Sequence, residues 1–293
     1  MDPRLKRILP RVQKPARYTG GEYKEIQKDK SEVDTRFAFC FPDTYEIGMS
    51  NVGMRILYGI MNNMEGVWCE RAFAPWGDME EEMRIHHLPL WTLESHDPLE
   101  EFDVIAFSLG YEMAYSNVLN MLELGNIPLK SCDRGDSLKH LVIAGGTSVY
   151  NPEPMADFLD ICIEGEGEDV DVELLECYRS AKRRGLGRHA FLLEAAKIPG
   201  IYVPSLYEHS YNDDGTIREI IPLEGAPKIV TKRIVQDMDA AYYPTETIVP
   251  STQIVHDRTV LELFRGCIRG CRFCQAGFCY RPVRPKSPER LYE

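Results

Sequence analysis

From position 36 to position 184, short unbroken apolar runs alternate with stretches whose apolar residues recur every three or four positions. RFAFCFP (36–42), GVWCERAFAP (66–75), FDVIAFSLG (102–110), HLVIAGG (140–146) and LDICIEGEGE (159–168) are of the first kind and predict strands. NVGMRILYGIMNNM (51–64), DMEEEMRIHH (78–87), EMAYSNVLNMLELG (112–125) and DVDVELLECYRSAKRR (169–184) are of the second kind and predict helices. Ser50 or Asn51 suits the N-cap of the first helix, and Gly125 suits the C′ position of the third. Near-continuous apolar strands are buried on both faces, so the pattern predicts an α/β fold with a parallel sheet. Ligands of such sheets sit beyond the carboxyl ends of the strands. Glycines follow the runs at 36–42, 102–110, 140–144 and 159–163 at that edge. Glycine also ends strands for purely geometric reasons, so this places a cleft without naming a ligand.

The flanks read differently. Residues 1–35 are polar, with Pro3, Pro10, Pro15 and a Gly20-Gly21 pair, and predict an extended arm wrapped on the domain that follows. Residues 36–197 form the sheet domain. Residues 198–251 predict a hairpin, turning at Asp213-Asp214-Gly215, and then a linker. In 252–293, HDRTVLELFRGC (256–267) predicts a strand that delivers Cys267, and SPERLYE (287–293) starts a helix with Ser287 as N-cap and Pro288 at N1.

Hydrophobic residues make up 44% and charged residues 27% of the 293, as in ordinary globular proteins. No apolar run approaches the roughly 20 residues that span a bilayer, and the basic N-terminus has no apolar core behind it, so a cytoplasmic location without membrane contact is expected. A net charge of −12 argues against broad nucleic-acid binding. The stretch from Arg265 to Lys286 is the exception: Arg265, Arg269, Arg272, Arg281, Arg284 and Lys286 stand there with no acid.

Nine cysteines, an odd number, argue against a disulfide framework. Cys40 and Cys162 lie in apolar runs and read as packing residues, while Cys69, Cys132 and Cys177 are scattered. Only RGCIRGCRFCQAG has chelating spacing, with Cys267, Cys271 and Cys274 at C-x3-C-x2-C. Thiolates are soft ligands for zinc, Cu(I) or iron–sulfur clusters. Cys279 would complete a four-thiol zinc set. Three thiols alone leave one iron of a four-iron cluster open to an outside ligand.

This stretch closely resembles the signature of the radical S-adenosylmethionine (SAM) enzymes. The resemblance implies that Cys267, Cys271 and Cys274 hold a [4Fe–4S] cluster and that Phe273 lies near the SAM adenine. It also implies that the open iron takes the amino and carboxylate groups of SAM, which one electron cleaves to methionine and a 5′-deoxyadenosyl radical. A reductant such as flavodoxin or ferredoxin is then expected, together with an unknown substrate. The segment from 256 resembles the first β/α unit of that superfamily's partial barrel. A full barrel takes roughly 250 residues, and about 38 remain from His256. The expectation is a fragment truncated early in the barrel and inactive alone, or one completed by a second chain. The alternative is a non-catalytic Rossmann-like binding module with an iron–sulfur or zinc tail.

The sheet domain resembles the B12-binding fold that precedes the barrel in one radical SAM class. That fold often carries D-x-H-x-x-G after its first strand; here DTYEIG places Asp43, Tyr45 and Gly48 there, with tyrosine where the axial histidine would be. Ser108, Gly145, Gly146 and Gly165 fall where the resemblance puts the rest of the pocket. Three readings stay open: cobalamin without a protein axial ligand, the fold without the cofactor, or another substrate or nucleotide. The glycines of GEGEDV also suit a tight turn with Glu166 and Glu168 at a helix start.

Overall fold

The computed structural model describes residues 2–293. Six strands, β1 (Thr35–Phe41), β2 (Val67–Phe73), β3 (Val104–Ser108), β4 (Leu141–Gly145), β5 (Ile161–Ile163) and β6 (Ile201–Tyr202), form one sheet in the order β2-β1-β3-β4-β5-β6. The first five are parallel, and the two-residue β6 runs antiparallel to β5. The expected α/β fold with a Rossmann-like sheet is therefore present.

Alternation along each strand feeds two cores. Phe37, Phe39, Val104, Ala106, Leu141 and Ile143 face one side. There they meet α3 (Val52–Asn63), α6 (Gly167–Arg184) and α7 (Arg188–Ala195). Ala38, Cys40, Ile105, Phe107, Val142 and Ala144 face the other side. They meet α1 (Pro3–Ile8), α4 (Gly77–Ile85) and α5 (Tyr115–Leu124). A four-residue α2 (Tyr45–Gly48) follows β1. The caps are as the sequence suggests. Asn51 Oδ1 accepts from the Met54 amide at 2.9 Å to start α3, and α6 carries Glu168 and Asp169 in its first turn and three cations in its last. The helix at 115–124 ends at Gly125, but the left-handed residue is Asn126.

Three expectations need correction. The first 35 residues are not an extended arm. Leu5, Ile8, Val12 and Tyr18 are buried in the second core, and Leu5 and Ile8 sit on α1. Burying each apolar side chain is worth about 1.5–3 kcal/mol, which explains why this segment folds back on the sheet. Second, α7 and β6 were not legible. Third, 256–267 is not a strand. Only β9 (Phe264–Arg265) is extended, paired antiparallel with β10 (Arg284–Pro285) rather than entering a parallel unit. Between them lies α8 (Ala276–Cys279), and α9 (Pro288–Tyr292) follows with Ser287 Oγ accepting from the Arg290 amide, as expected. The hairpin is β7 (Tyr207–Tyr211) with β8 (Ile217–Pro222), turning through Asp213–Gly215. Met238 and Ala241 of the predicted linker pack with Val235. Among the described residues no helix is long and apolar enough to cross a membrane.

Candidate functional site

A cleft of about 530 Å³ opens at the carboxyl edge of the sheet. Ser108 at the end of β3, Gly145 at the end of β4, Gly146 after it, and Gly165 after β5 line it. Two of these glycines answer to backbone geometry. At Gly146 φ is +111°, and a Cβ would lie 2.4 Å from the Leu109 carbonyl oxygen. At Gly165 φ is also +111°, and a Cβ would lie 2.0 Å from the Arg233 oxygen. The floor is apolar, formed by Phe37 and Phe39 of β1, Ile143, Ile163 and the inner face of α3.

Asp43, Tyr45 and Gly48 are not part of this cleft. Asp43 accepts a hydrogen bond from Tyr111 at 3.0 Å. Tyr45 is buried edge-on to Phe73, 5.3 Å between ring centres, and donates to Glu22. Burial, followed by the Glu22 charge, raises its pKa, so the phenol is a held donor and not a free ligand. A Cβ on Gly48 would strike the Phe73 ring. The loop's sequence position matches the cobalt-binding motif, but Tyr45, which stands at the axial-ligand position, turns into the core and does not fit an axial ligand.

The cysteine segment covers the mouth. Glu262, Arg265, Gly266 and Tyr280 line the cleft from outside. The cations flanking the cysteines meet the GEGE glutamates. Arg284 makes a bidentate pair with Glu166, both contacts 2.7 Å. Arg265 pairs with Glu168, with Glu262 at 2.7 Å, and stands 3.6 Å from Glu166. Glu166 also accepts from the Val235 amide at 2.6 Å. Lys232 donates to the Cys279 and Arg281 carbonyls at 2.7 and 2.8 Å. Two of the six cations of the stretch, Arg265 and Arg284, thus dock the segment, while Arg269, Arg272 and Arg281 stay exposed.

Beyond this dock the loop projects outward. Cys271 is exposed, Cys267 and Cys274 are partly so, and Phe273 is 92% exposed. The Cys267 sulfur accepts from the Arg269 amide at 3.4 Å. Cys279 points the other way and is buried on α8, with its carbonyl also held by the Tyr150 hydroxyl.

The profile of the family described as "Radical SAM proteins, N-terminal" matches residues 53–204, about half of the chain. The chain belongs to the radical SAM proteins. An uncharacterized protein of Methanocaldococcus jannaschii is 26% identical over 257 residues, covering 87% of this chain and 44% of that protein. Among solved structures, a similar one is the radical S-adenosylmethionine methyltransferase TsrM from Kitasatospora setae, with tryptophan substrate and a SAM analogue bound. It is 13% identical at a TM-score of 0.49, over 88% of this chain and 44% of that one. The chain thus spans under half the length of the relatives it matches. The matched residues 53–204 run from α3 to β6 and take in five of the six strands of the sheet.

The donor chemistry of the cysteine loop fits the cluster that this family implies. Three thiols stand on one solvent-facing loop without side-chain partners among the described residues, and thiolate is the ligand iron–sulfur clusters take. Their ligating arrangement is not assembled. Among the described residues, no group of three or more His, Cys, Asp or Glu side chains is gathered to hold a metal.

Sequence reasoning missed Glu166 and Glu168 as partners of Arg284 and Arg265, and it missed Lys232. It also missed Asp171, which is 7% exposed, lines the cleft and has no hydrogen-bonding partner among the described residues. Its spacing held a signal: an acid three and four positions before the buried Leu174 and Leu175 falls on the apolar stripe of α6. Burial, and then the nearby Glu168 charge, pushes its pKa up to about 8. Burial alone pushes Glu164 up to about 7. Carboxyls raised in this way bind more protons in the folded state than in the unfolded chain, where they titrate near ~4. Their contribution is therefore full below pH ~4 and lost as pH rises through about 7 and 8. Urea unfolding at pH 6 and pH 9 should show lower stability at pH 9, and Asp171→Asn should flatten that slope. An unchanged slope in the variant would place the titrating group elsewhere.

Proposed function

We propose that this chain supplies the front domain and the cluster loop of a radical SAM enzyme. In this reading Cys267, Cys271 and Cys274 hold a [4Fe–4S] cluster, and Phe273 packs near the SAM adenine. The observation that carries it is the docked loop. Its two ends are fixed at the sheet's carboxyl edge by Arg265 and Arg284 on Glu168 and Glu166, while the three thiols between them face outward. When bound, the cluster supplies the single electron that reduces SAM. The protein's own part is positioning. The Glu166 and Lys232 contacts fix the ends of the loop, and the exposed Arg269, Arg272 and Arg281 offset the negative charge of thiolates and cluster. A flavodoxin- or ferredoxin-type protein donates the electron. The substrate class stays open, and so does completion of the barrel by further sequence or a second chain. Cobalamin liganded by the DTYEIG loop is excluded from the proposal, because Tyr45 is committed to Glu22.

Anaerobic reconstitution of the full chain with iron and sulfide should give about four irons per chain and the electron paramagnetic signal of a reduced cubane. Replacing Cys267, Cys271 and Cys274 together by alanine should abolish both. Iron retained by the triple variant would reject the assignment. One zinc per chain that depends on Cys279 would favour a structural zinc tail instead. A second reading, a binding module without catalysis in this chain, is favoured by the unassembled thiols. It wins if the reconstituted chain carries the cluster and leaves SAM uncleaved in the presence of dithionite.

A further inference from the structure

Asp171 takes no part in holding iron or SAM, yet it is the one carboxyl on the cleft without a partner among the described residues. The other acids at the mouth are engaged: Glu166 with Arg284, Glu168 with Arg265, and Glu262 with Arg265 and Lys286. Asp171 lies one turn inside α6, and its Oδ2 is so close over Gly167 that a Cβ there would sit 2.6 Å away. Phe37, Phe39, Ile56, Ile143 and Ile163 line the same cleft. The volume of about 530 Å³ is that of a small-molecule site, and an apolar cavity with one convergent polar group is how such sites fix orientation.

The charge state narrows the ligand. Groups able to act on Asp171 are Glu168 on its own helix, Glu166 in the preceding turn, Glu262 and Arg265 on the cysteine segment, and the buried Cys69 thiol of β2, which burial keeps protonated. Strands β1, β3, β4 and β5 and helix α3 contribute only uncharged side chains to the lining. Burial and Glu168 both oppose ionisation, and Arg265 is occupied by three acids. Asp171 is therefore a neutral acid at neutral pH, with a hydroxyl donor and a carbonyl acceptor side by side. The complement is an edge presenting one acceptor next to one donor, as in a lactam or an aminopyridine-type ring.

We propose that the sheet-edge cleft binds a neutral planar ring through a paired acceptor and donor edge on Asp171, with the cysteine segment closing over it. The inference concerns the cleft alone and does not depend on iron, so its failure leaves the cluster reading untouched.

The test uses the iron-free full chain with 2-pyridone and 9-ethyladenine as probes, indole as a ring with a donor only, and benzamidine as a cation, each titrated by calorimetry at pH 6.5 and pH 9.5. The two paired-edge probes should bind at least tenfold tighter than indole or benzamidine at pH 6.5, and should lose about tenfold by pH 9.5 as Asp171 ionises. Asp171→Leu should remove that preference while leaving indole unchanged. Asp171→Asn keeps a donor and an acceptor, so it should retain binding and lose the pH dependence. Circular dichroism melts confirm that both variants fold. Equal affinity for indole, tighter binding of benzamidine, no binding of either paired-edge probe, or pH dependence surviving in Asp171→Asn would each overturn the proposal.

Discussion

Replacing Arg71 by leucine should cost the fold about 3–5 kcal/mol, because it strands two buried carboxylates. Arg71 on β2 is 1% exposed. It meets Glu94 through Nε at 2.6 Å and Glu22 at 2.6 Å, with Glu25 at 3.7 Å. Its own backbone amide donates to Glu94 at 2.7 Å. Burial opposes the guanidinium charge, but Glu94 and Glu22 outweigh it and raise the pKa, so the arginine is charged throughout. Glu22 and Glu25 belong to the N-terminal segment, and Tyr45 donates to Glu22 from α2. One cation thus ties three stretches of chain to the edge strand β2.

Urea denaturation should show the loss directly, and the melting temperature should fall on the order of 10 °C. Limited proteolysis should then cut faster within the first 35 residues than it does in the parent. Charge stranding, and not lost volume, is the mechanism, so Arg71→Met combined with Glu22→Gln and Glu94→Gln should recover most of the stability. A single Arg71→Leu costing under 1 kcal/mol, or a triple variant worse than the single, would refute this account.

What was legible in the sequence follows from how locally each signal is written. The central strands announced themselves because burial on both faces leaves no polar position in the VIAF of β3 or the LVIA of β4. The two-residue β6 carries no such run and is defined only by its pairing with β5. In the first 35 residues, the prolines hid a buried set, Leu5, Ile8 and Val12, spaced for one face of a turn. VLELF near 260 alternates like a strand, yet Leu261, Leu263 and Phe264 are exposed and only a two-residue ladder forms. At the sheet edge, Ser108 and the glycines line the cleft because strand ends fix their place along the chain. Asp43 and Tyr45 were misplaced because a motif gives position along the chain, while side-chain direction is set by what packs behind it, here Phe73 and Glu22. The partners of Glu166 lie roughly a hundred residues away, where no local pattern reaches.

That long-range pair supports the second large effect. Glu166→Ala should free the cysteine segment while leaving the sheet intact. The β9–β10 ladder holds two residue pairs, far too few to persist alone. What fixes it is charge: Arg284 is buried, and its guanidinium meets Glu166 in a bidentate pair at 2.7 Å and the Val235 carbonyl at 2.6 Å. Glu166 in turn accepts the Val235 amide, so one carboxylate joins the sheet edge, the 230–235 stretch and the cysteine segment. Its loss leaves Arg284 without its countercharge, a change that costs about 3–5 kcal/mol when the pair is buried. The segment can escape to water, so the cost is met by local opening. Amide hydrogen exchange in 262–286 should quicken on the order of a hundredfold, with β1, β3 and β4 unchanged, since 1.36 kcal/mol is a tenfold step. Arg284→Met alone should loosen the segment as well. The double variant should be no looser than Glu166→Ala, because neither charge then remains buried without its partner. Exchange that quickens equally across β1–β4 would mean that Glu166 supports the whole fold, and exchange that stays slow in 262–286 would mean that Lys232 and the ladder suffice without it.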